Sequence, residues 1–184
     1  MKVTVSRPHP SEREEIFALI STVVRDTMIR DGAGDKEAFI VGELERQQNC
    51  LDADFHSNGR EAYYLRAKTE DGRIVGSIAL VPANSVIRAN LEIDSVNTPE
   101  LGNVLVHPDS HGRGVGAAMV RAALLQLRRR KQAEFVLDCG YQVSQGYWKR
   151  HFGEPDVYLT DYYGPGIGHM IWKRRVDDYL NAPD

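Results

Sequence analysis

Between Glu100 and Ala117 the chain reads ELGNVLVHPDSHGRGVGA, a segment with few ways to fold. Val104, Leu105 and Val106 favour an extended strand. His107-Pro108-Asp109 ends it, because proline restricts the residue before it and has no N–H to give to a ladder. After the glycines at 112, 114 and 116, the apolar residues Val115, Ala118, Met119, Ala122 and Leu125 recur at helical spacing. A strand is therefore delivered through a tight turn into a glycine-rich helix start. The first N–H groups of a helix have no internal partners, and glycines let an anion reach the backbone. The helix dipole adds about 0.3–1 kcal/mol, so the fit of several N–H donors to a pyrophosphate matters more.

Two other phosphate-binding patterns fit less well. Gly112-Arg-Gly-Val-Gly-Ala117 satisfies G-x-G-x-x-A, and Asp138 ends the next strand where a ribose-binding acid would stand in a dinucleotide fold. In that fold, however, the strand runs straight into its first glycine, whereas here His-Pro-Asp-Ser-His intervenes. Antiparallel character also precedes the segment. The P-loop pattern fails because no Gly-Lys-Ser/Thr follows.

The rest of the chain supplies a mixed architecture. VTV opens with a short strand, and Ser11 with Glu14 suggests a capping box for a helix ending near Asp31. Asp35 is placed to cap a second helix through Phe39, Ile40, Val41 and Leu44, and the glycine-rich loop between the two is of a kind that often touches substrate. AYYLRAK and RIVGSIALV, separated by Asp71-Gly72, read as a hairpin. Residues 82–99 show no sustained period and are expected to form a long connection. FVLDC then reads as a buried strand, SQGYWKRHF as a short helix, and VYL with GHMIWKRRV as a final strand pair. The expected order is β-αα-β-β-β-α-β-α-β-β, an α/β (α+β) fold. At 184 residues one domain spanning 1–184 is expected.

Composition narrows the function classes. A net charge of −3 disfavours a surface made for nucleic acid or anionic lipid. The N-terminus lacks the apolar run of a signal peptide, and no stretch approaches the roughly 20 apolar residues that span a bilayer, so a cytoplasmic location is expected. Cys50 and Cys139 are too few for a disulfide framework, and no cysteine–histidine spacing suggests a metal site.

The sequence V-H-P, a spacer, then x-x-x-G-x-G with a helix behind it is similar to motif A of the GNAT acetyltransferase superfamily. That motif usually begins with Gln or Arg, where this chain has His111. The order of elements to about residue 175 also resembles the superfamily's mixed, mostly antiparallel seven-stranded sheet, with about four helices. The resemblance implies acetyl-CoA (coenzyme A) as co-substrate, without a metal. It implies pyrophosphate held by His111, Gly112, Arg113, Gly114, Val115, Gly116 and Ala117, mainly through backbone N–H groups. Val104, Leu105 and Val106 would pair with the pantetheine arm where the strand splays at a bulge, one of their N–H groups polarising the thioester carbonyl.

An alkylammonium of pKa about 10.4 is neutral only about once per 2,500 molecules at pH 7, so an amine acceptor benefits from a base. The resemblance places Glu100 in that role, with Glu92 and Asp94 in reserve. A tyrosine in the helix after the fifth strand would protonate the departing thiolate. Trp148 falls at the customary position and Tyr147 one residue earlier, which makes Tyr147 the candidate. A direct attack is expected, since no histidine–acid pair recommends Cys139 as a nucleophile. The loop Asp161–Gly168 reads either as an acceptor wall or as a glycine turn with packed tyrosines. Arg128 to Lys131 reads as a solvated helix end, with a 3′-phosphate or RNA contact as the other reading. A non-catalytic acyl-CoA-sensing module and an RNA-associated protein remain as alternatives. The expected acceptor is a small-molecule or peptide amine, with no membrane partner. Its identity, the acyl length, and the choice between monomer and homodimer stay open.

Overall fold

The computed structural model describes residues 1–94 and 96–180. Its strands are β1 (Val3–Ser6), β2 (Tyr63–Thr69), β3 (Ile74–Val81), β4 (Glu100–Val106), β5 (Glu134–Cys139), β6 (Val157–Leu159) and β7 (His169–Arg175). They form a seven-stranded sheet in the order β1-β2-β3-β4-β5-β7-β6. Every neighbouring pair is antiparallel except β4 with β5, which run parallel. Helices α1 (Arg13–Arg30), α2 (Glu37–Ser57), α3 (Ser85–Asn90), α4 (Val115–Arg129), α5 (Gln142–Phe152) and α6 (Val176–Leu180) cover it. The mixed α/β class and the expected strand order are those observed.

Packing explains the sheet's composition. β3 lies inside the sheet between β2 and β4 and is buried along almost its whole length, which is why it is apolar at successive rather than alternate positions. One face carries the largest core, where Met119, Val120, Ala123, Leu124 and Leu127 of α4 meet Ile78, Leu80, Leu101, Phe135 and Trp172. The other face is divided. Ile16, Ile20 and Val24 of α1 with Ile40 and Leu51 of α2 cover Tyr64, Ile74 and Ala79, while Ile87 of α3 covers Val136 and Ile171. Between these two apolar patches lies a polar strip of sheet.

Several local expectations are corrected. The connection 82–99 is not wholly irregular: Asn84 accepts the N–H groups of Val86 and Ile87 through its side chain and starts α3. The capping box at the first helix is made by His9 and Glu12 around a 3-10 turn, Pro10–Glu12, rather than by Ser11 and Glu14. Its glutamate accepts the His9 N–H at 2.8 Å. Lys36, not Asp35, occupies the N-cap of α2, with no side-chain cap bond. Helix α5 starts at Gln142, two residues before the expected Ser144. Its first N–H groups, on Gln142 and Val143, are capped from outside by the carboxylate of Asp31, each at 3.0 Å. Only tertiary packing can make such a cap. Asp71-Gly72 does form the hairpin turn, with the Gly72 N–H donating to Thr69 O.

Candidate active site

The parallel pair β4–β5 opens almost as soon as it forms. Glu100 is aligned with Val136, and no further residue of β4 is aligned with β5 among the described residues. On its other side β4 stays paired with β3, but the register slips: Ser77 lies opposite Leu105, and Ala79 opposite Gly102. An extra residue is therefore accommodated at Asn103–Val104, where Asn103 takes a left-handed φ of 52°. Asparagine tolerates that conformation, and its side chain is held here by donating to Tyr64 Oη at 2.7 Å and Cys50 Sγ at 3.3 Å. The bulge turns the backbone of Val104, Leu105 and Val106 away from β5.

At the C-terminal end of β4, Pro108–Ser110 form a single 3-10 turn, and His111 folds back so that its Nε2 meets Val106 O at 2.9 Å. The side chain of His111 thus ties the loop to the strand. Gly114 is the N-cap of α4 at φ 81°, and no side chain caps that end. A β-carbon on Gly112 or Gly114 would meet nothing within 4 Å, so the approach to the helix start is clear. The backbone of Gly112, Arg113, Gly114, Val115, Gly116 and Ala117 wraps this start, and its first N–H groups are left for an anion. The uncapped helix start and the parting of β4 from β5 are features that a pyrophosphate and a slender chain would require.

Tyr147 lies on the α5 side of the same gap. Its Oη is buried and has no hydrogen-bond partner among the described residues, and burial raises its pKa above the usual phenol value. Trp148, one residue on, is buried in the main core and stacks on Phe152 with ring centroids 5.7 Å apart. Both rings pack on the same core, 4.8 Å apart between centroids, and Tyr147 is the one whose Oη reaches Gly116.

Glu100, at the opposite end of β4, is 7% exposed. Burial pushes its carboxyl well above the usual carboxylate range, and the negative charge of Asp138 adds to the rise; the N–H of Asn84 and the charge of Arg46 oppose it. Its Oε1 lies 2.9 Å from where a β-carbon on Gly102 would stand, so glycine at 102 makes room for the carboxyl. Strand alternation puts Glu100 on the divided face together with Asp138 and His169, within the polar strip between the apolar patches. Glu92 is exposed, and Asp94 accepts the N–H groups of Val96 and Asn97 within its own turn. Neither is brought to Glu100.

Burial pushes the Cys139 thiol up to about 12, and its Sγ donates to Tyr141 O at 3.4 Å. In the loop Asp161–Gly168, Asp161 accepts the Gly166 N–H, while Tyr162 and Tyr163 are exposed beside His169. Arg130 stacks over Tyr63 at 4.3 Å and donates to Gly59 O, so one member of the basic run is tied to the protein itself. The roles of Asn84 and His169 were not legible in the sequence. An acid inside the apolar strand FVLDC was the available signal for Asp138.

Comparison with known proteins agrees with this geometry. The model of the Acetyltransferase (GNAT) family matches residues 32–153, from the α1–α2 loop through α5. The chain belongs to the GNAT acetyltransferase family. Over 68 residues this GNAT chain is 34% identical to mycothiol acetyltransferase of Mycolicibacterium smegmatis, a match covering 37% of the chain and 19% of that enzyme. Among solved structures, a GNAT-family protein from Desulfovibrio desulfuricans superposes with a TM-score of 0.71 at 15% identity, covering 95% of this chain and 99% of the other. The PaiA N-acetyltransferase of Thermoplasma acidophilum, in complex with coenzyme A, gives 0.66 at 15% identity, with 95% and 100% covered. Spermidine N-acetyltransferase of Vibrio cholerae, in complex with CoA and spermine, gives 0.64 at 12% identity, with 97% and 98% covered. Among the described residues no helix of the GNAT chain is long and apolar enough to cross a membrane.

Proposed function

We propose that this chain transfers the acetyl group of acetyl-CoA to a primary amine of a small molecule or peptide by direct attack. The observation that carries the reading is the course of β4. One strand has a buried carboxyl at its start, a bulge that frees its backbone in the middle, and an uncapped glycine-rich helix start beyond its end.

Acetyl-CoA, when bound, supplies a thioester whose acyl carbon is open to nucleophiles. The N–H groups of Gly112 to Ala117 and the His111-braced loop hold the pyrophosphate, with Arg113 in the same turn. The backbone of Val104, Leu105 and Val106 aligns the pantetheine arm, and one N–H of this stretch polarises the carbonyl. Glu100 takes the proton of the incoming ammonium. A carboxyl raised well above its usual range is better matched to that task than an exposed one, because a base works best with a pKa near the working pH. Tyr147 gives its phenol proton to the leaving sulfur. Cys139 takes no part, since a buried thiol pushed up to about 12 supplies almost no thiolate.

Asp31 and Glu43 act on Tyr141 and Asp138 acts on Glu100, with the charge of Arg46 felt at both, a balance that favours a cationic acceptor. The Vibrio cholerae relative, with spermine bound, is consistent with an amine of that kind. The test is a turnover assay with acetyl-CoA and a mixed panel of amines, following free thiol. Amine-dependent thiol release is expected. Tight coenzyme A binding with no thiol release from any amine would overturn the reading in favour of an acyl-CoA sensor.

A further inference from the structure

Glu100 and Asp138 stand on different strands, and Asn84 holds both. Its backbone N–H donates to Glu100 Oε2 at 2.9 Å, and its side-chain Nδ2 donates to Asp138 Oδ2 at 2.8 Å. Its remaining side-chain oxygen caps α3, so the clamp is fixed by a helix start. Asp138 Oδ2 also meets His169 Nε2 at 3.0 Å, and His169 Nδ1 meets Tyr163 Oη at 3.2 Å. His169 is 4% exposed and Tyr163 44%, so the connected groups lead from a buried carboxyl to the surface. A β-carbon on Gly140 would lie 2.6 Å from the Tyr163 ring and 3.1 Å from His169 Nδ1. The end of β5 is bare where the imidazole and the phenol meet.

Resting on the reading of Glu100 as the base, the geometry points to Asp138 and His169 as positioning residues that decide whether Glu100 is charged. Two neighbouring carboxylates in a buried site resist ionising together unless a cation offsets one of them. The Nε2–H of His169 donates to Asp138 Oδ2, and its Nδ1 accepts from Tyr163 Oη. Together with the Asn84 amide this donation draws on the charge of Asp138 and so eases the ionisation of Glu100. Without it the charge of Asp138 opposes that of Glu100 in full. The other groups facing Glu100 come from α2: Arg46, which favours its charge, and Cys50. Arg46 is bonded twice to Glu43, at 2.9 and 2.7 Å, so part of its charge is already matched. Facing Asp138 and His169 are Tyr162 and Tyr163, while Cys139 points to the opposite face of β5.

The experiment is the pH profile of kcat/KM for the acceptor in Glu100→Gln, Asp138→Asn, His169→Gln and Tyr163→Phe, with coenzyme A affinity measured beside it. Asp138→Asn removes the opposing charge, so the acid limb should move to lower pH by about one unit. His169→Gln should move it to higher pH by a similar amount. Tyr163→Phe, at the exposed rim, removes the hydroxyl that donates to His169 Nδ1 and keeps the ring proton on Nε2, and should move the limb in the same direction by less. Coenzyme A affinity should be unchanged in all three. If Glu100→Gln abolishes the acid limb while the other variants lower kcat evenly and leave the limb in place, the inference fails and the base assignment stands. A wild-type profile in Glu100→Gln would overturn the base assignment itself. Tyr163→Phe keeps the test open should either buried variant fold poorly, because an unmoved limb there also counts against the inference.

Discussion

The phenol oxygen of Tyr147 lies 3.1 Å from where a β-carbon on Gly116 would begin. The proposed acid on α5 therefore packs close against the first turn of α4, where a side chain at 116 would crowd it. This closeness would put the proposed cofactor loop and the proposed proton donor in one place.

Substituting either loop glycine should show it. Gly116→Glu sets a side chain and a negative charge against Tyr147 and the pyrophosphate site. Gly114→Glu puts a negative charge into the open approach to the helix start, on a left-handed backbone that costs an L-residue about 1–2 kcal/mol in addition. Both variants should lose coenzyme A binding in calorimetry, and full affinity in either would count against the loop as the pyrophosphate site.

Tyr147→Phe removes an oxygen that has no partner among the described residues, so thermal stability should hardly change. Turnover should fall by roughly 10- to 100-fold if the phenol serves as general acid. A thiol of pKa about 8.5 can depart unaided. The loss should therefore shrink with thioesters of more acidic thiols, which steady-state rates across a thioester series would reveal. An equal loss across the series would point to a packing role for the ring.

Acid stability should depend on Glu12. Burial pushes its carboxyl up, but hydrogen bonds from Lys68, the His9 N–H and Arg66 outweigh that and hold it at about 2. A carboxylate with a lowered pKa stabilises the folded state above its unfolded value of 4.5, and this contribution fades as pH falls toward about 2. Glu12→Gln should destabilise the protein by about 2 kcal/mol at neutral pH. The difference from wild type, followed by denaturant unfolding, should close as pH approaches 2.

Asp54 ties the N-terminal segment to the hairpin. It is fully buried, pairs with Arg7, and accepts the Tyr64 N–H at 3.0 Å. Asp54→Ala leaves a partly buried guanidinium and a buried N–H without this acceptor, a loss of about 3 kcal/mol. That corresponds to a fall in Tm on the order of 10 °C, measurable by calorimetry.

Much of the fold was legible in local pattern. The shift from helical spacing in α1 to branched residues in β2 and β3, the Asp71-Gly72 turn and the strand–loop–helix at 100–117 each depend on near neighbours in the chain. What the sequence by itself determined is therefore the order of elements and the glycine-rich helix start suited to a pyrophosphate. Helix α3 escaped because it is short and is started by one asparagine, and the cap of α5 escaped because Asp31 is more than a hundred residues away. Only the tertiary structure decided that Tyr147 rather than Trp148 reaches Gly116, since both are aromatic and both pack on the same core. It also decided the company of Glu100: Asn84, Asp138 and His169 come from a helix cap and two further strands, and hydrogen bonds across a sheet leave no periodic mark along the chain.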